Sequence, residues 1–374
     1  MHLRIAQLGM KKVPSREGGI EIVVEELAVR MTALGHAVTC YNRNTHHVSG
    51  RKFDAEKIKE YKGVRIKYVP TIDKKGLAAV SSAFFATVAA SLGRYDVVHI
   101  HAEGPAFMCW LPRLFGKRVI VTIHGLDHQR AKWGKFASRF IMMGEKNAVR
   151  FANEIIVLSK GVQEYFEKTY GRKTVFIPNG VNRPELCEAK EIKYKFGLEK
   201  DNYILFLGRL VPEKGIKYLI EAYKSVSTGK RLVIAGGSSD SSGFVDELRQ
   251  LAAGDSRIQF TGFVQGRMLE ELYSNAYIYV LPSDLEGMPL SLLEAMSYGN
   301  ACLTSDIEEC ASVVEDKALT FRKGDVADLK DTLQFMLDNP DIAAKLKATA
   351  ADYICAKYSW DEVVRDTLNV YERK

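Results

Sequence analysis

The sequence predicts an α/β protein built from two doubly wound, parallel-sheet domains that face a central cleft. The chain has 374 residues, whereas single domains commonly hold about 100–200 residues. Short apolar, β-branched segments alternate with helical stretches, which is typical of parallel strands covered by helices on both faces. This alternation stops near residue 180 and then starts again, so we expect one domain on each side of that point.

Composition narrows the class of protein. Hydrophobic residues make up 47% and charged residues 26% of the chain, as in ordinary globular proteins. No apolar run reaches the ~20 residues of a membrane-spanning helix, and the N-terminus runs into Lys11 and Lys12 without a secretory pattern. We therefore expect a cytoplasmic protein. Its six cysteines lack C-x-x-C spacing, which predicts buried thiols and no zinc site or disulfide scaffold.

The periodicity predicts the elements in order. In the first domain we expect strands at 3–8, 37–41, 64–69, 97–100, 119–123, 154–158 and 175–177, with helices at 20–34, 77–92 and 135–151. In the second we expect strands at 203–207, 231–235, 258–260, 277–281 and 301–304, with helices at 214–225, 244–252, 265–273 and 290–297. After residue 321 only helices are expected, at 325–338, 341–357 and 360–372.

The domain boundary is predicted at the segment IPNGVNRP, residues 177–184. Two prolines and an Asn-Gly pair interrupt any continuing helix or strand. We expect a first domain at 1–180, a linker at 181–195 and a second domain at 196–357. The terminal helix, 358–374, is expected to cross back to the first domain.

The charge is unevenly distributed between the halves. Residues 1–185 hold 30 lysines and arginines against 16 acids, a net charge of +14, whereas residues 186–374 have a net charge of −7. A basic half favours an anionic partner such as a phosphorylated substrate or a membrane surface, although a solvated lysine-rich surface is an equal alternative. Nucleic acid is not expected, because no zinc-finger, helix-turn-helix or RNA-binding pattern is present.

The most informative motif is SDLEGMPLSLLEAM, residues 283–296. It follows a predicted strand, and Pro289 suits the first turn of a helix whose free N–H groups can bind an anion. Glu286 precedes this helix and Glu294 lies within it, so their carboxylates could hold hydroxyl groups of an extended polar ligand. A pair of solvated acids is the alternative, although Glu294 has apolar neighbours and an unpaired acid there is costly. Gly287, Met288 and Leu290 complete the expected anion-binding turn.

Two further loops follow the first strand of each domain. In LGRLVPEKG, residues 207–215, Gly208 permits close backbone approach, and Arg209 and Lys214 can neutralise a leaving diphosphate without a metal ion. In VPSREGGIE, residues 13–21, Gly18 and Gly19 can present backbone amides to a phosphate. This loop is not the G-x-G-x-x-G of a dinucleotide site, so a dehydrogenase is not indicated.

Polar side chains end other strands of the first domain. His124 follows the strand at 119–123 and could hydrogen-bond a sugar hydroxyl, although a structural role is an equal alternative. His101 and Glu103 follow the strand at 97–100 and, with the loop residues Arg16 and Glu17, are candidates for an acceptor pocket. The histidines lack the i, i+4 helical spacing that would argue for zinc, so no metal site is expected.

Taken in order, these motifs resemble the retaining glycosyltransferases of family 4, which have the two-lobed, Rossmann-like GT-B fold. The most specific part is the E-x7-E pattern of Glu286 and Glu294. The resemblance implies that Glu294 holds the ribose, Glu286 the donor sugar, and Arg209 and Lys214 the diphosphate, with Gly19 closing over it. It also implies a metal-independent enzyme of hexosyltransferase type that uses a UDP-sugar, with dTDP- or GDP-sugars as the alternatives.

The first loop, VPSREGGIEIVVEEL, resembles a bacterial subgroup that builds capsule and surface polysaccharides and includes rhamnosyltransferases. Acceptors in this family are saccharides, often linked to polyprenyl diphosphate. The glycine-rich turn at 236–243 departs from the family pattern near the expected position of the base. Residues 130–140 interleave Lys132, Lys135 and Arg139 with Trp133, Phe136 and Phe140, which suits either peripheral contact with an anionic membrane or an ordinary solvated helix.

Two other functions fit the same motifs. Sugar-nucleotide epimerases that hydrolyse or isomerise the donor share the GT-B fold, and they would consume the donor without an acceptor. A non-catalytic nucleotide-sugar-binding partner is the other alternative, and it would bind the donor without consuming it.

Overall fold

A computed structural model of the chain describes residues 2–74, 76–129, 134–237 and 242–373. The chain divides into two compact units. The first contains Met1–Asn179 together with Trp360–Lys374, and the second is the continuous segment Gly180–Ser359. Each unit is built around its own sheet.

The first unit contains an eight-stranded sheet in the order β3-β4-β2-β1-β5-β6-β7-β8. The strands are β1 (Arg4–Leu8), β2 (Ala37–Arg43), β3 (Glu60–Tyr61), β4 (Val64–Val69), β5 (Val97–His101), β6 (Arg118–Ile123), β7 (Glu154–Val157) and β8 (Val175–Phe176). Among the described strands, the β3–β4 pair is antiparallel and the other pairs of this sheet are parallel.

Helices α1 to α5 connect these strands. They are α1 (Gly19–Ala33), α2 (Leu77–Leu92), α3 (Trp110–Leu114), α4 (Lys135–Phe151) and α5 (Lys160–Tyr170). Short 3-10 segments at Pro105–Met108 and Asp127–Gln129 follow β5 and β6. β5 is buried along its whole length although it includes His99 and His101. Because β5 pairs in parallel with both β1 and β6, the carboxyl ends of these three strands lie side by side.

The second unit contains a six-stranded parallel sheet in the order β11-β10-β9-β12-β13-β14. Its strands are β9 (Tyr203–Leu207), β10 (Arg231–Ala235), β11 (Ile258–Gly262), β12 (Ile278–Leu281), β13 (Ala301–Ser305) and β14 (Leu319–Phe321). The order reverses between β9 and β12, and in such sheets ligands bind at the carboxyl ends of the strands at this reversal.

Eight helices of the described chain belong to this unit. They are α6 (Glu191–Phe196), α7 (Ile216–Lys224), α8 (Ser242–Ala252), α9 (Arg267–Asn275), α10 (Leu290–Ser297), α11 (Glu308–Val314), α12 (Val326–Asp338) and α13 (Pro340–Lys357). The last helix, α14 (Trp360–Glu372), is part of the first unit. Its residues Val363, Val364 and Val370 are buried, and it contacts α1.

The unit boundaries differ in detail from the predicted domains. The segment predicted as a linker, 181–195, lies within the second unit. Its Ile192 is fully buried in that unit's core, because the backbone amides of Lys190 and Ile192 donate to the buried Glu271 carboxylate and anchor α6. The two ends of the unit lie side by side: Val181 N donates to Tyr358 O at 2.9 Å, and Val181 forms a parallel bridge with Ser359.

The sequence also led to expectations about membrane-spanning helices and about the cysteines. None of the helices there combines the length and the apolar character required to cross a bilayer. The cysteines form no disulfide in these residues; Cys187 and Cys355 are half-buried and the other four are buried.

Candidate active site

The carboxyl edge of the second sheet brings two of the predicted motifs into contact. Lys214 Nζ donates to Glu286 Oε1 at 2.5 Å, and Ser283 Oγ donates to the same oxygen at 2.6 Å. The Lys214 and Glu286 side chains are only 11% and 9% exposed. The contact arises because the loop carrying Lys214 follows β9 and the loop carrying Glu286 follows the neighbouring strand β12. The result is a nearly buried cluster of an ammonium, a carboxylate and a hydroxyl.

Two glycines allow neighbouring loops at this sheet edge to approach each other closely. At Gly215 the φ angle is +64°, and an added Cβ would lie 1.9 Å from Pro282 O. At Gly236 the φ angle is +148°, and an added Cβ would lie 1.8 Å from Gly208 O. Gly208 itself would tolerate a Cβ, which would meet only the Phe206 ring at 3.5 Å. Gly215 and Gly236 thus permit close contacts within the protein, whereas the approach of a ligand to Gly208 stays a prediction.

The predicted anion-binding helix is α10. It begins at Leu290, and Pro289 precedes it as the N-cap residue instead of lying in its first turn. Pro289 O accepts from Leu292 N and Leu293 N at 2.9 and 3.1 Å, and the helix has no side-chain cap. Gly287 and Pro289 are buried, and Met288 is half-buried. The start of α10 thus keeps its positive dipole end uncompensated by any capping side chain.

Glu294 lies within α10 and is half-buried. Its Oε2 accepts from Tyr273 Oη at 3.3 Å, and the same hydroxyl lies 3.3 Å from Ser291 O. The ring of Tyr273 stacks on Tyr298 with centroids 5.2 Å apart. Burial raises the pKa of Tyr273 well above its ordinary value, and the Glu294 carboxylate raises it further. Tyr273 therefore stays a neutral hydrogen-bond donor that orients Glu294.

Two polar residues at this edge, Ser283 and Glu213, were not predicted as site residues. Ser283 adds the second hydrogen bond to Glu286, and its own carbonyl accepts from Ser305 Oγ at 2.5 Å. Glu213 is buried, and neither of its carboxylate oxygens has a hydrogen-bond partner among the described residues. Both residues are part of the motifs already quoted, but neither belongs to a spacing pattern that would identify its role. Arg209, directly after Gly208, is half-buried.

The first unit contains a chain of buried polar groups at the ends of β1, β5 and β6. His101 Nε2 lies 2.8 Å from Gln7 Oε1, and His101 Nδ1 lies 3.0 Å from His124 Nε2. Because an amide oxygen only accepts, His101 must donate through Nε2 and accept through Nδ1. His124 is then the donor at Nε2. His101 is fully buried, and burial lowers its pKa well below the ordinary value, so it stays neutral.

This series of buried polar contacts continues to the C-terminal helix α14. Gln7 Nε2 donates to Tyr371 Oη at 3.2 Å, and Tyr371 Oη lies 2.7 Å from His99 Nδ1. His99 Nε2 lies 2.6 Å from Thr122 Oγ1. Burial lowers the pKa of His99 to about 3. The orientation of His124 is thus supported by a network that extends to the last helix of the chain.

The acceptor-pocket candidates are not all accessible. Arg16 is exposed, whereas Glu17 is buried beside Lys11 and His47, and burial raises the pKa of Glu17. His101 and Glu103 have no solvent exposure. The expectation that Glu17, His101 and Glu103 line an acceptor pocket therefore disagrees with this structure. The polar groups of these strand ends and loops point into the unit, because each finds a polar neighbour there.

The glycine loop is arranged around a buried acid. Gly18 precedes α1 in an extended conformation, and Gly19 begins the helix and is exposed. Glu21 Oε1 accepts from Lys11 N at 2.8 Å, and a Cβ on Gly18 would lie 2.8 Å from Glu21 Oε2. The Glu21 carboxylate thus occupies part of the space beside the helix start that we expected for a phosphate.

Two family models match this chain, and they meet near the boundary between its two units. The family described as "Glycosyltransferase Family 4" matches residues 17–183, and "Glycosyl transferases group 1" matches residues 188–353. An uncharacterized glycosyltransferase of Methanocaldococcus jannaschii is 25% identical over 99% of this chain and 98% of its own. The D-inositol 3-phosphate glycosyltransferase of Xylanimonas cellulosilytica is 26% identical over 98% of this chain and 96% of its own.

The fold is also that of known structures. HepE of Anabaena, solved in complex with UDP-glucose, superimposes with a TM-score of 0.80 at 16% identity, over 98% of this chain and 100% of HepE. The two doubly wound, Rossmann-like sheets are those of the GT-B fold. The two family models match the first and the second half of the chain in order. The chain therefore belongs to glycosyltransferase family 4.

Proposed function

We propose that the protein is a retaining glycosyltransferase that moves a sugar from a nucleotide-diphosphate sugar to a hydroxyl of a saccharide or lipid-linked acceptor. The observation that carries this proposal is the buried contact of Lys214 with Glu286, beside the uncapped start of α10. This cluster lies at the sheet edge where the strand order reverses, which is where open α/β sheets bind ligands.

Lys214 has the properties required of a diphosphate ligand. Its ammonium has three donors, and Glu286 Oε1 accepts one of them. The other two N–H groups of Lys214 can donate to phosphate oxygens, and the Arg209 guanidinium can act as a second cation. The start of α10, at Met288 to Leu290, adds backbone dipoles of the same sign. Together these groups supply positive charge where the leaving diphosphate gains negative charge.

The two carboxylates are suited to hydroxyl groups. Glu286 accepts from Lys214 and Ser283 through Oε1, and among the described residues its Oε2 receives no hydrogen bond. We assign Glu286 Oε2 to a hydroxyl of the donor sugar. We assign Glu294, oriented by Tyr273, to the ribose hydroxyls. His124, held as the Nε2 donor to His101, is assigned to a further sugar hydroxyl.

The proposed reaction retains the configuration of the donor sugar. The bond between the anomeric carbon and the diphosphate oxygen breaks, and its electron pair stays on that oxygen. The acceptor hydroxyl forms the new bond on the same face, and its proton passes to the leaving diphosphate. No protein nucleophile takes part in this step. Stabilisation of the developing charge by fixed cations and dipoles is worth about 3–4 kcal/mol per donor in comparable sites.

For the substrates, we propose a UDP-sugar first, with dTDP- and GDP-sugars as alternatives. The UDP-glucose complex of HepE supports this order. The turn expected near the base, 236–243, includes residues 238–241, which lie outside the described part of the chain. A phosphorylated acceptor fits the net charge of +14 on residues 1–185. The sequence of the first loop supports a role in surface-polysaccharide synthesis, with rhamnose as one candidate for the transferred sugar. The inositol-phosphate relative supports an anionic acceptor.

We also propose a cytoplasmic enzyme that contacts an anionic membrane peripherally through its first unit. Phe136 of α4 is 86% exposed, and Met143 of the same helix is also exposed. Lys135, Arg139 and Lys146 are exposed on this helix too. Apolar and basic side chains together suit the interface of an anionic bilayer. Lys132 and Trp133, which belong to the same sequence pattern, lie outside the described residues.

The deciding experiment measures donor binding and turnover. Thermal shift with UDP-, dTDP- and GDP-sugars should give one class that adds about 2.7 kcal/mol at 100 times its dissociation constant. Lys214→Ala should lower turnover by about 10²–10³-fold, while the matched control Lys217→Ala, whose exposed side chain pairs with Glu247, should not change it. Donor consumption without any acceptor would favour the epimerase or hydrolase function. Binding without consumption would favour the non-catalytic partner, and no binding would refute the proposal.

A further inference from the structure

Three potential metal ligands converge in the first unit, outside the residues assigned above to substrate. They are Glu103 Oε1, His128 Nδ1 and Glu145 Oε2, and all three atoms lie within 4.8 Å of one another. His128 Nδ1 is 3.3 Å from Glu145 Oε2 and 3.8 Å from Glu103 Oε1. They come from separate parts of the chain: the end of β5, the 3-10 segment Asp127–Gln129, and α4.

None of these three atoms has a hydrogen-bond partner among the described residues. The two glutamate side chains have no solvent exposure, and His128 is 15% exposed. Buried polar atoms in native proteins are almost always satisfied, and each exception requires an explanation. Three such atoms that face one another can be satisfied together, either by a shared proton or by one bound cation.

The opposite oxygen of each carboxylate is firmly held. Glu103 Oε2 accepts from Asp127 N at 2.9 Å. Glu145 Oε1 accepts from Tyr165 Oη at 2.9 Å and from Tyr170 Oη at 2.5 Å. These donors fix both carboxylates so that Glu103 Oε1 and Glu145 Oε2 are directed toward His128. Metal-binding carboxylates are typically oriented by hydrogen bonds of this kind.

The backbone is also shaped to bring the two acids together. Gly144 precedes Glu145 on α4, and a Cβ added at Gly144 would lie 2.0 Å from Glu103 O. Only glycine permits α4 to lie this close to the end of β5. The proximity of the two buried carboxylates is therefore built into the chain at Gly144.

We propose that Glu103, His128 and Glu145 bind a divalent cation, with Zn²⁺ the preferred ion and water as the fourth ligand. Two carboxylates and a neutral imidazole balance the charge of a divalent ion, which removes the cost of burying the acids. Zinc bonds to N and O of about 2.0–2.2 Å give a separation of about 3.3 Å between tetrahedral ligands. The separations of His128 Nδ1 from Glu145 Oε2 and Glu103 Oε1, 3.3 and 3.8 Å, approach this value. The ion has a structural role, since the diphosphate is assigned to residues of the second unit.

The competing explanation is a proton shared between the two carboxylates. It predicts no affinity for metal ions, so metal content and metal-dependent stability separate the two. The full-length protein is treated with chelator, dialysed, and titrated with Zn²⁺, Mn²⁺ or Mg²⁺. We expect one equivalent of Zn²⁺ per chain and a melting temperature about 5–10 °C higher at 100 times the dissociation constant. Mg²⁺ should give a smaller rise, because it prefers six oxygen ligands.

Variants test the ligand assignment. His128→Ala should lose the bound equivalent, whereas His46→Ala, at the exposed His46–Asp54 pair, should keep it. Glu103→Gln preserves the shape of the side chain but removes the charge, and should weaken Zn²⁺ binding by more than about 10-fold. Co²⁺ substituted for Zn²⁺ should give visible absorption bands that His128→Ala abolishes. Absence of metal-dependent stabilisation, or equal stabilisation of the wild type and His128→Ala, would overturn the proposal.

Discussion

Lys214 Nζ and Glu286 Oε1 lie 2.5 Å apart although 72 residues separate them in the chain. Each belongs to a different motif, one after β9 and one after β12, and the parallel pairing of these strands places both loops at one edge. The ion pair therefore brings the two motifs into direct contact. Its members should be tested together as well as singly.

We expect Lys214→Ala to lower turnover by about 10²–10³-fold, because one charge-stabilising donor is lost from the diphosphate site. Glu286→Ala should cause a comparable loss. The double variant should lose little more than either single variant, because contacting residues are not additive. Steady-state rates with saturating donor measure all three.

The exposed pair of Lys217 with Glu247, at 2.6 Å, is the matched control. Lys217→Ala, Glu247→Ala and the double variant should leave turnover unchanged. Fully additive losses in the Lys214 and Glu286 series would contradict the proposal that these two contacting residues act together in donor binding.

Tyr273→Phe should lower donor affinity without removing a substrate ligand. It deletes the hydroxyl that donates to Glu294 Oε2, and one hydrogen bond is worth about 1 kcal/mol. We expect the dissociation constant of the nucleotide to rise about 5-fold, as measured by calorimetry. Tyr277→Phe, at a half-buried tyrosine of the same unit, is the control. Equal affinities of Tyr273→Phe and wild type would mean that Glu294 does not need this support.

Gly215→Ala should destabilise the second unit strongly. The φ angle of +64° costs roughly 1–2 kcal/mol for a non-glycine residue, and the new Cβ would lie 1.9 Å from Pro282 O. We expect a loss of more than about 2 kcal/mol in the free energy of unfolding, measured with urea. Gly229→Ala is the control, because an added Cβ there meets nothing within 4 Å. Similar stabilities of the two variants would contradict this packing.

Stability should fall in acid partly because of His99. The pKa of His99 is lowered from 6.5 to about 3 in the folded protein, where Tyr371, Thr122 and His101 surround it. Below pH 6.5 the unfolded chain therefore binds a proton that the folded protein does not. The contribution to stability is fully present above pH 6.5 and is lost as pH falls toward 3.

We accordingly expect His99→Gln to reduce the stability difference between about pH 7.5 and about pH 4.5 by roughly 2–3 kcal/mol. The comparison of two pH values separates this effect from any general destabilisation by the substitution. His2→Gln, at an exposed position, should leave the difference unchanged. An unaltered pH dependence in His99→Gln would show that this histidine does not limit acid stability.

Phe136→Ser should weaken binding to anionic vesicles. Phe136 is 86% exposed among basic residues of α4, so it is available to the bilayer interface. Flotation with vesicles rich in anionic lipid, at low salt, should recover several-fold less of the variant than of the wild type. Tyr194→Ser, at a 95% exposed tyrosine of the second unit, is the matched control. If the wild type fails to float, the membrane proposal is refuted.

Much of the fold could be predicted because buried parallel strands have an unmistakable composition. Segments such as β9 and β12 are apolar at every position, and all their residues but Leu207 are buried. β14 was missed because it has only three residues and its central Thr320 is exposed. The segment predicted as a linker is largely polar, but the buried Ile192 and the hydrogen bonds to Glu271 attach it to the core.

For the candidate site residues, contacts between neighbours in the sequence could be predicted, whereas contacts between distant residues could not. The placement of Glu286 before a helix and of Glu294 within it could be predicted because one short motif contains both residues. The arrangement of Glu103 with His128 and Glu145 could not, because it depends on a close contact at Gly144, more than forty positions along the chain. The burial of Glu17 was also missed, because its neighbour His47 comes from a separate loop.

The juxtaposition of Val181 with Ser359 has a consequence for how such enzymes diversify. When the first and last residues of a segment are hydrogen-bonded neighbours, the two junctions of that segment lie at one place in the structure. The segment can then be exchanged for a homologous one with little change elsewhere in the chain. Recombination at these two positions would replace everything from Gly180 to Ser359 while leaving the remainder, including its last helix, intact. Exchange at this junction would thus join the first unit to a second unit of different origin.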